Sequence, residues 1–485
     1  MRLLSKIQVL TDDEMEKVHE STLKLLWEKG VSFQSKEAIS LLKHHGATVN
    51  GNNVRFPNDM VMQALSQCPQ TFHLEALNPQ RSVTVGDGLL IHPAGGEVFI
   101  QDFEDGRRSP TLGDFADLQK IYQACSELDI AGYQPLSPID VPDRTKGLHC
   151  VLESMKHSDK PILSPMELDT VVQKEECLKL FEIAYGKDGY LDNHYVTWHA
   201  VCPNSPLFYS DFACEGIKVY AERNQPVLVV SAPMTGITSP IYLYSTVVLQ
   251  IAEILAGLVL AQLYRPGVPV IPSASLTYGN MRYASWECAC PDTALMLVAS
   301  VQMFKDFYHL PSRAQTGVTS SKIIDYQAGM ESIQSFMLTA LAGVSLCSQS
   351  LGTLENLMTT SLEKTIIDNE MISRVRHILD GMNTSEEALG MDILMEARPC
   401  QDFMTHPSTL DHLKDGWQPQ VSDWRSYDAW QAQGAPEILD AAHTEVEKIL
   451  SSAPESFLPP EMEEALSEYI RHVEEKASVI SAHNK

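Results

Sequence analysis

The chain has 485 residues, long enough to bury a sizeable core, and at 44% hydrophobic and 20% charged residues it has the composition of a globular protein. Lysine plus arginine number 36 against 63 acidic residues, a formal net charge of −27, which disfavours nucleic acid and anionic membrane as partners. Ten cysteines scatter without a framework spacing; only Cys288 and Cys290 lie close together, a weak zinc signal, and reduced thiols in a cytoplasm are the expected state.

No basic segment followed by an apolar run opens the chain at Met1, so no signal peptide is expected. Met1 to about Ser66 reads as helices. Thr11 with Glu14 has the spacing of a capping box, Val18, Leu25 and Leu26 form an apolar stripe that ends at Gly30, and Lys36 to His45 is a second helix stopped by Gly46. Thr71 to Phe103 alternates and turns, with Gly86-Asp87-Gly88 and Gly95-Gly96 as punctuation. From Leu89 eight short apolar runs recur: Leu89 to Ile91, Asp129 to Tyr133, Pro161 to Leu163, Tyr195 to Val201, Val227 to Val230, Val268 to Ser273, Arg313 to Thr316 and Val344 to Cys347. Helical patterns lie between them: Asp114 to Leu128, Thr145 to His157, Asp169 to Tyr185, Ser210 to Arg223, Ile241 to Tyr264, Asp292 to Tyr308 and Gln327 to Leu341, with Leu362 to Leu379 after the last run.

Strand and helix alternating at roughly thirty to forty residues is the rhythm of βαβ units, and eight of them predict an α/β fold, a (β/α)8 TIM barrel. Pro161, Pro226, Pro269 and Pro311 stand at strand entries, where a missing N–H costs little. No G-x-G-x-x-G follows a first strand, which disfavours the doubly wound alternative. The longest apolar run, Thr246 to Tyr264, is interrupted by Gln250, Glu253 and Gln262 and reads as a buried crossover helix, not a membrane span. Past Gly381 the pattern loosens; Trp417, Trp424, Tyr427 and Trp430 cluster, as a partner-docking surface or as a staple onto the barrel, and Pro436 to Ser452 and Pro460 to Lys476 are terminal helices. The expected organisation is an N-terminal helical extension with a turn-rich segment at 1–88, the barrel at 89–380, and a helical segment packing on it at 381–485.

One stretch carries a specific resemblance. In Leu310 to Ser332, LPSRAQTGVTSSKIIDYQAGMES, a short strand is broken by Gly317 and the Thr319-Ser320-Ser321 run, and Asp325 then caps an amphipathic helix. Together with ALAG after it, with AEILAGLVLAQL at Ala252 to Leu263, and with Tyr264-Arg265-Pro266-Gly267-Val268-Pro269, it resembles the trimethylamine methyltransferase family. It is similar in particular to the branch without pyrrolysine, since Thr319 to Lys322 are standard residues. The resemblance implies a barrel, and a demethylation of glycine betaine or a related quaternary amine onto Co(I) of a corrinoid carried by a separate protein, giving dimethylglycine in the betaine case. Choline, carnitine, proline betaine and γ-butyrobetaine remain open as substrates.

Such chemistry needs little apparatus. The leaving group is a neutral tertiary amine, so no residue is expected to act as acid or base and no metal ligand is expected; the site must bind a cation and orient one N–CH3 bond. A quaternary ammonium offers no strong N–H donor and is hosted by aromatic faces at roughly 0.5–2 kcal/mol each. Tyr195, Trp198, Tyr209, Tyr278, Tyr283 and Trp286 lie at or after strand ends, and Trp198, Tyr278 and Tyr283 are chosen from them. A betaine also carries a carboxylate, for which Arg313 is the natural fork, with Gln315 on the same face nearer the mouth, and with His199, Arg282 and Gln349 as further candidates. The bland reading of Arg313 is an ion pair with Asp306 or Glu331, and that of His199 a satisfied core residue. Glu253 is expected to pair or cap a strand end. No D-x-H-x-x-G is present, so cobalamin is expected on the partner and not on this chain; a cytoplasmic location and self-association into a homo-oligomer are compatible with everything above. The competing readings are a barrel lyase or hydrolase, for which Lys322 is the one lysine to nominate, and a non-catalytic betaine-binding or corrinoid-docking protein.

Overall fold

In the computed structural model, which describes residues 6–483, all eight runs become strands of one barrel; the reading of Met1 falls outside these residues. The strands are β1 (Leu90–His92), β2 (Ala131–Gly132), β3 (Ile162–Leu163), β4 (His199–Val201), β5 (Val227–Ser231), β6 (Val270–Ala274), β7 (Arg313–Gln315) and β8 (Leu346–Ser348). Six form one parallel ladder in the order β4-β5-β6-β7-β8-β1, and β2 and β3 form a parallel pair. The pair is joined to β1 by the N–H groups of Asp129 and Ile130, which both donate to the Ile91 carbonyl at 3.0 and 3.1 Å. The remaining seam, between β3 and β4, is bridged by a side chain: Ser164 N–H donates to Thr197 Oγ1 at 2.7 Å.

The helices follow their strands: α1 (Leu112–Ala124), α2 (Lys146–His157), α3 (Val171–Ala184), α4 (Asp211–Glu222), α5 (Leu243–Tyr264), α6 (Pro291–Gln302), α7 (Tyr326–Leu341) and α8 (Leu362–Asp380). Their starts are chemically marked. Thr111 with Asp114 and Thr170 with Gln173 make capping boxes, and the side chains of Ser210, Asp325 and Ser361 accept from the third helical N–H. The apolar helix α5 is buried almost from end to end between strands and neighbouring helices, which explains its composition without a membrane. Its Glu253 ties down the mouth-side ends of β4 and β5, accepting from Ser205 Oγ, the Leu207 N–H and Ser231 Oγ at 2.6–2.8 Å.

Alternation along the strands divides inside from outside. Ile91, Ala131, Ile162, Val201, Val227, Val229, Val270, Ala274, Ala314 and Cys347 join the layer between strands and helices. Ile130, Leu163, Trp198, Ala200, Leu228, Val230, Ile271 and Leu346 form a second cluster in the lumen, with Leu90 against it. The hairpin Phe72–Leu74/Val83–Val85 contributes Phe72, Leu74 and Val85 to that lumen cluster and so plugs the amino-terminal end of the barrel.

The N-terminal segment, expected to be helical, also holds three short strands, Val31–Phe33, Thr48–Asn50 and Asn53–Arg55, and the first of these pairs in parallel with Phe208–Tyr209 from the loop after β4. Three-residue strands carry too few alternations to register against helical periodicity, and their pairing partner lies far away in sequence. At the other end, the helix Ile438–Ser452 lies on α8 and α1, and Pro460–His483 lies on α2 and α3.

Candidate active site

The carboxyl ends of the strands are where a barrel keeps its chemistry, and here the lumen changes character. Below, it is aliphatic: Leu90, Ile130, Leu163, Leu228, Ile271 and Leu346. Above, it becomes aromatic and polar, with His92 on β1, Tyr133 just after β2, Ser273 and Ser275 on and after β6, and Arg313 and Gln315 on β7; Trp198, immediately before β4, belongs to the lumen cluster and packs against His92. Small side chains follow one another on the β4 and β5 side. Ala200 is buried, and Cys202 and Ala232, each on the inward phase of its strand, are exposed, so solvent-accessible surface reaches between the strand ends.

Arg313 faces this lumen. It is 2% exposed, and its Nη1 donates to Ser273 Oγ and Ser275 Oγ at 2.8 and 2.9 Å, while its Nε is buried without a hydrogen-bond partner. Among the described residues it forms no ion pair. Asp306 is paired to Lys6, and Glu331 accepts from Thr319, Ser320 and Gln327, so neither expected acid reaches it. Burial lowers the pKa of Arg313 from the ordinary arginine value, and the charges of Tyr133, Cys202 and Cys347 offset this only in part. A buried guanidinium with two serine hydroxyls and no anion is chemically incomplete and suited to receive a carboxylate.

Three aromatic rings share this lumen. His92 meets Tyr133 edge-on at 5.3 Å and Trp198 at 5.7 Å between ring centroids. The Tyr133 hydroxyl, Trp198 Nε1 and both ring nitrogens of His92 are buried without well-formed hydrogen bonds. Burial first, and then the positive charge of Arg313, holds His92 well below the usual histidine range, so it presents a neutral ring. Tyr133 and Gln134 both have positive φ, 70° and 60°. Two consecutive non-glycine residues in that region cost roughly 1–3 kcal/mol each and are held by their surroundings. The Gly96 N–H donates to the Gln134 carbonyl at 3.0 Å, and Gln134 Nε2 donates to Glu167 at 2.7 Å. Gly95 lies so close that a Cβ there would sit 2.9 Å from the Tyr133 ring.

The other expected site residues are more dispersed. Gln315 is buried in the lumen and its amide donates to Cys288 Sγ at 3.4 Å; Gln349 is buried just past β8 with φ 64°. His199, next to Trp198, takes the opposite phase of β4 and points out of the barrel. It stacks on Tyr220 of α4 at 4.8 Å, and burial pushes its pKa down to about 3, so it is not brought to the lumen. Tyr278 and Tyr283 belong to a hairpin over the mouth, Tyr278–Asn280 paired with Ser285–Glu287; Tyr278 is half-buried and Tyr283 is 68% exposed beneath Arg282. Lys322 is exposed, and its ammonium donates to the Ser320 carbonyl, away from the lumen. His92 and Tyr133 were not among the expected residues. Tyr133 closes the second apolar run, so the rule that selects aromatics at strand ends extends to it. His92 follows the first run by one residue, on the inward phase set by Leu90.

A family model described as Trimethylamine methyltransferase (MTTB) matches residues 1–478. The chain is 32% identical over 471 residues to the glycine betaine methyltransferase of Desulfitobacterium hafniense (strain Y51), covering 97% of this chain and 98% of that protein. It is 28% identical over 473 residues to the trimethylamine methyltransferase MttB of Desulfitobacterium hafniense (strain DSM 10664 / DCB-2), covering 97% and 94%. Among solved structures, the monomethylamine methyltransferase MtmB of Methanosarcina barkeri superposes with a TM-score of 0.52 at 13% identity, over 92% of this chain and 89% of that one, a likeness of fold.

Proposed function

The chain belongs to the trimethylamine methyltransferase family and is a methyltransferase, and we propose that it takes a methyl group from a quaternary amine bearing a carboxylate, glycine betaine first among them. The observation that carries this reading is a buried Arg313 guanidinium, without an ion-pair partner among the described residues, in the same lumen as the mutually packed His92, Tyr133 and Trp198 rings. A betaine presents the complement of that pair: a carboxylate for the guanidinium and a trimethylammonium for the aromatic faces. Choline and tetramethylammonium would leave Arg313 uncompensated.

The acceptor in this reading is Co(I) of a corrinoid on a separate protein, presented at the barrel mouth. The carbon–nitrogen bond breaks with its electron pair staying on nitrogen, and the acceptor supplies the pair for the new bond to carbon. Because the leaving amine is neutral, no proton has to be delivered. The chain's part is to hold the carboxylate, to surround the ammonium with dry ring faces, and to aim one methyl at the mouth. A neutral His92 suits this, since an imidazolium would repel the substrate.

The test is to incubate the protein with the reduced corrinoid protein and a panel of methylamines, following conversion of Co(I) to methyl-Co(III) and the appearance of dimethylglycine. Turnover of glycine betaine or another carboxylated quaternary amine is expected. Turnover confined to amines without a carboxylate, or no methyl transfer with any of them, overturns the reading.

A further inference from the structure

Arg313 answers the carboxylate of a betaine, but its ammonium is also a full charge entering a largely dry site, and rings alone offset it only in part. Glu97, in the loop after β1, is fully buried. Its carboxylate is held by its own backbone N–H and by a long 3.4 Å hydrogen bond from Thr353 Oγ1 to Oε1, and among the described residues no other group reaches its buried Oε2. The other acids near the mouth are satisfied: Glu167 by Gln134 and Ser137, Glu287 by Asn280 and Ser320, Glu331 by Thr319, Ser320 and Gln327, and Asp368 by Lys364.

The position of Glu97 is set by the same backbone that sets Tyr133. Gly96 N–H donates to the Gln134 carbonyl, and Ser137 N–H donates to the Glu97 carbonyl, so the loops after β1 and β2 are zipped together. After burial itself, the Tyr133 hydroxyl is acted on by Arg313, which lowers its pKa, and by Cys202 and Glu97, which raise it. Gly95, two residues before Glu97, lies against the Tyr133 ring, so the loop that carries Glu97 packs on the aromatic side of the lumen. The titratable groups on which the charge of Glu97 acts are Tyr133 after β2 and Tyr122 of α1; Tyr122 also feels Asp368 of α8, which is paired with Lys364.

We propose that Glu97 is the counter-charge of the substrate's ammonium: it is a neutral acid in the free protein and ionises, releasing its proton to solvent, when the quaternary amine enters the lumen. This rests on the reading of the lumen as a betaine site. Burial pushes the Glu97 carboxyl up to about 8, so at neutral pH the proton is in place before the cation arrives. A site built this way does not hold an unpaired buried anion when empty, and it selects against a neutral isostere when filled.

The test uses the full-length protein, glycine betaine, and tert-butylacetate, which has the same shape and carboxylate but no positive charge. In calorimetry across buffers of different ionisation enthalpy, betaine binding at pH 7 should release about one proton, and tert-butylacetate none. The betaine dissociation constant should fall by up to about tenfold per pH unit from pH 6 towards 8 and then level off. Glu97→Gln should abolish proton release and that pH dependence, and should reduce the preference for betaine over tert-butylacetate by about tenfold or more. The wild-type proton count requires no variant to fold. If wild-type protein binds betaine without releasing a proton, or if Glu97→Gln keeps both the pH dependence and the preference, the inference fails while the functional reading stands. If the wild type neither binds nor demethylates any quaternary amine, the functional reading fails and takes this inference with it.

Discussion

Arg313 and Glu97 are both buried and incompletely partnered, and they make opposite statements about stability. Arg313→Ala removes a guanidinium that holds only two serine hydroxyls, so little folding free energy should be lost. A charge-assisted hydrogen bond to a substrate carboxylate is worth roughly 1.5–3 kcal/mol, and the half-saturating betaine concentration should therefore rise by about ten- to a hundredfold. Arg313→Lys should recover only part of this, because an ammonium cannot make the planar paired contact. Any reaction with tetramethylammonium should be nearly indifferent to either change, and equal losses with the two substrates would make Arg313 structural. For Glu97 the effect is on stability against pH. Its pKa is raised from 4.5 in the unfolded chain to about 8 in the fold. Between those values the folded state holds a proton that the unfolded state has released, so stability is fully present below pH 4.5 and declines as pH rises towards 8. Glu97→Gln should match the wild type at pH 5 and exceed it at pH 8 by on the order of 2–4 kcal/mol in urea unfolding. Parallel pH profiles for the two proteins would refute this.

At the scale of elements, helix α5 shows what the sequence can disclose. Its uniform apolarity, with a single carboxylate inside, is the pattern of a crossover helix buried on all sides, and Glu253 does pair with strand ends, as its isolation suggests. Glu253→Ala would leave Ser205 Oγ, the Leu207 N–H and Ser231 Oγ without their acceptor. A loss of about 2–4 kcal/mol in chemical denaturation is expected, with Glu253→Gln milder because its amide oxygen still accepts. A change under 1 kcal/mol would show that the loops find other partners. The eight strand positions were legible because each is a short apolar run entered by proline or bounded by turn residues, and the helices because their patterning is local, with Asp325 readable as a cap, whereas the caps at Thr111 and Thr170 do not coincide with the starts expected at Asp114 and Asp169. The lumen was legible only where strand phase could be counted: Arg313 and Gln315 share a face, as spacing by two requires, whereas His199 sits one residue from Trp198 and turns outward. Glu97 left no trace because Gly95-Gly96 reads as a turn, and the burial of the residue after it depends on loops after β2 and β8 that are remote in sequence. The Phe72–Leu74/Val83–Val85 plug was hidden for the same reason, since two three-residue strands gain their meaning only from the lumen they fill.

At the scale of the whole molecule, the question is how residues beyond α8 are held to the barrel, since many of their apolar side chains, Met395, Met404 and Leu413 among them, are exposed. The aromatic cluster divides. Trp417 is a staple: its Nε1 donates to Ser373 Oγ at 2.9 Å and Arg374 lies 4.2 Å over its ring, whereas Trp424 and Tyr427 are exposed. Beside it, Glu370 of α8 receives the N–H groups of Gln420, Val421 and Ser422 at 2.6–3.0 Å and Arg374 on its other oxygen. Burial alone would raise its pKa, but hydrogen bonds from Ser422, Val421 and Arg374 outweigh that and hold it at about 2. Here the folded-state pKa is depressed, so the attachment is at full strength above pH 4.5 and is lost as pH falls towards 2. Removing an acceptor of three backbone N–H groups should weaken this attachment by about 3 kcal/mol, since hydrogen bonds to charged groups contribute roughly 1.5–3 kcal/mol each and water recovers part of the loss. In Glu370→Ala the segment between Gly381 and Glu437 should therefore be cleaved by a dilute protease about a hundredfold faster at neutral pH, while the barrel, whose ladders do not involve it, stays resistant. Glu370→Gln should fall between, as its amide oxygen still accepts but without the charge. Lowering the pH of the wild type from 5 towards 3 should loosen the same segment and quench or shift Trp417 emission before global unfolding. Unchanged cleavage in Glu370→Ala would mean that Trp417 and the helix Ile438–Ser452, packed on α8 and α1, hold the segment without it.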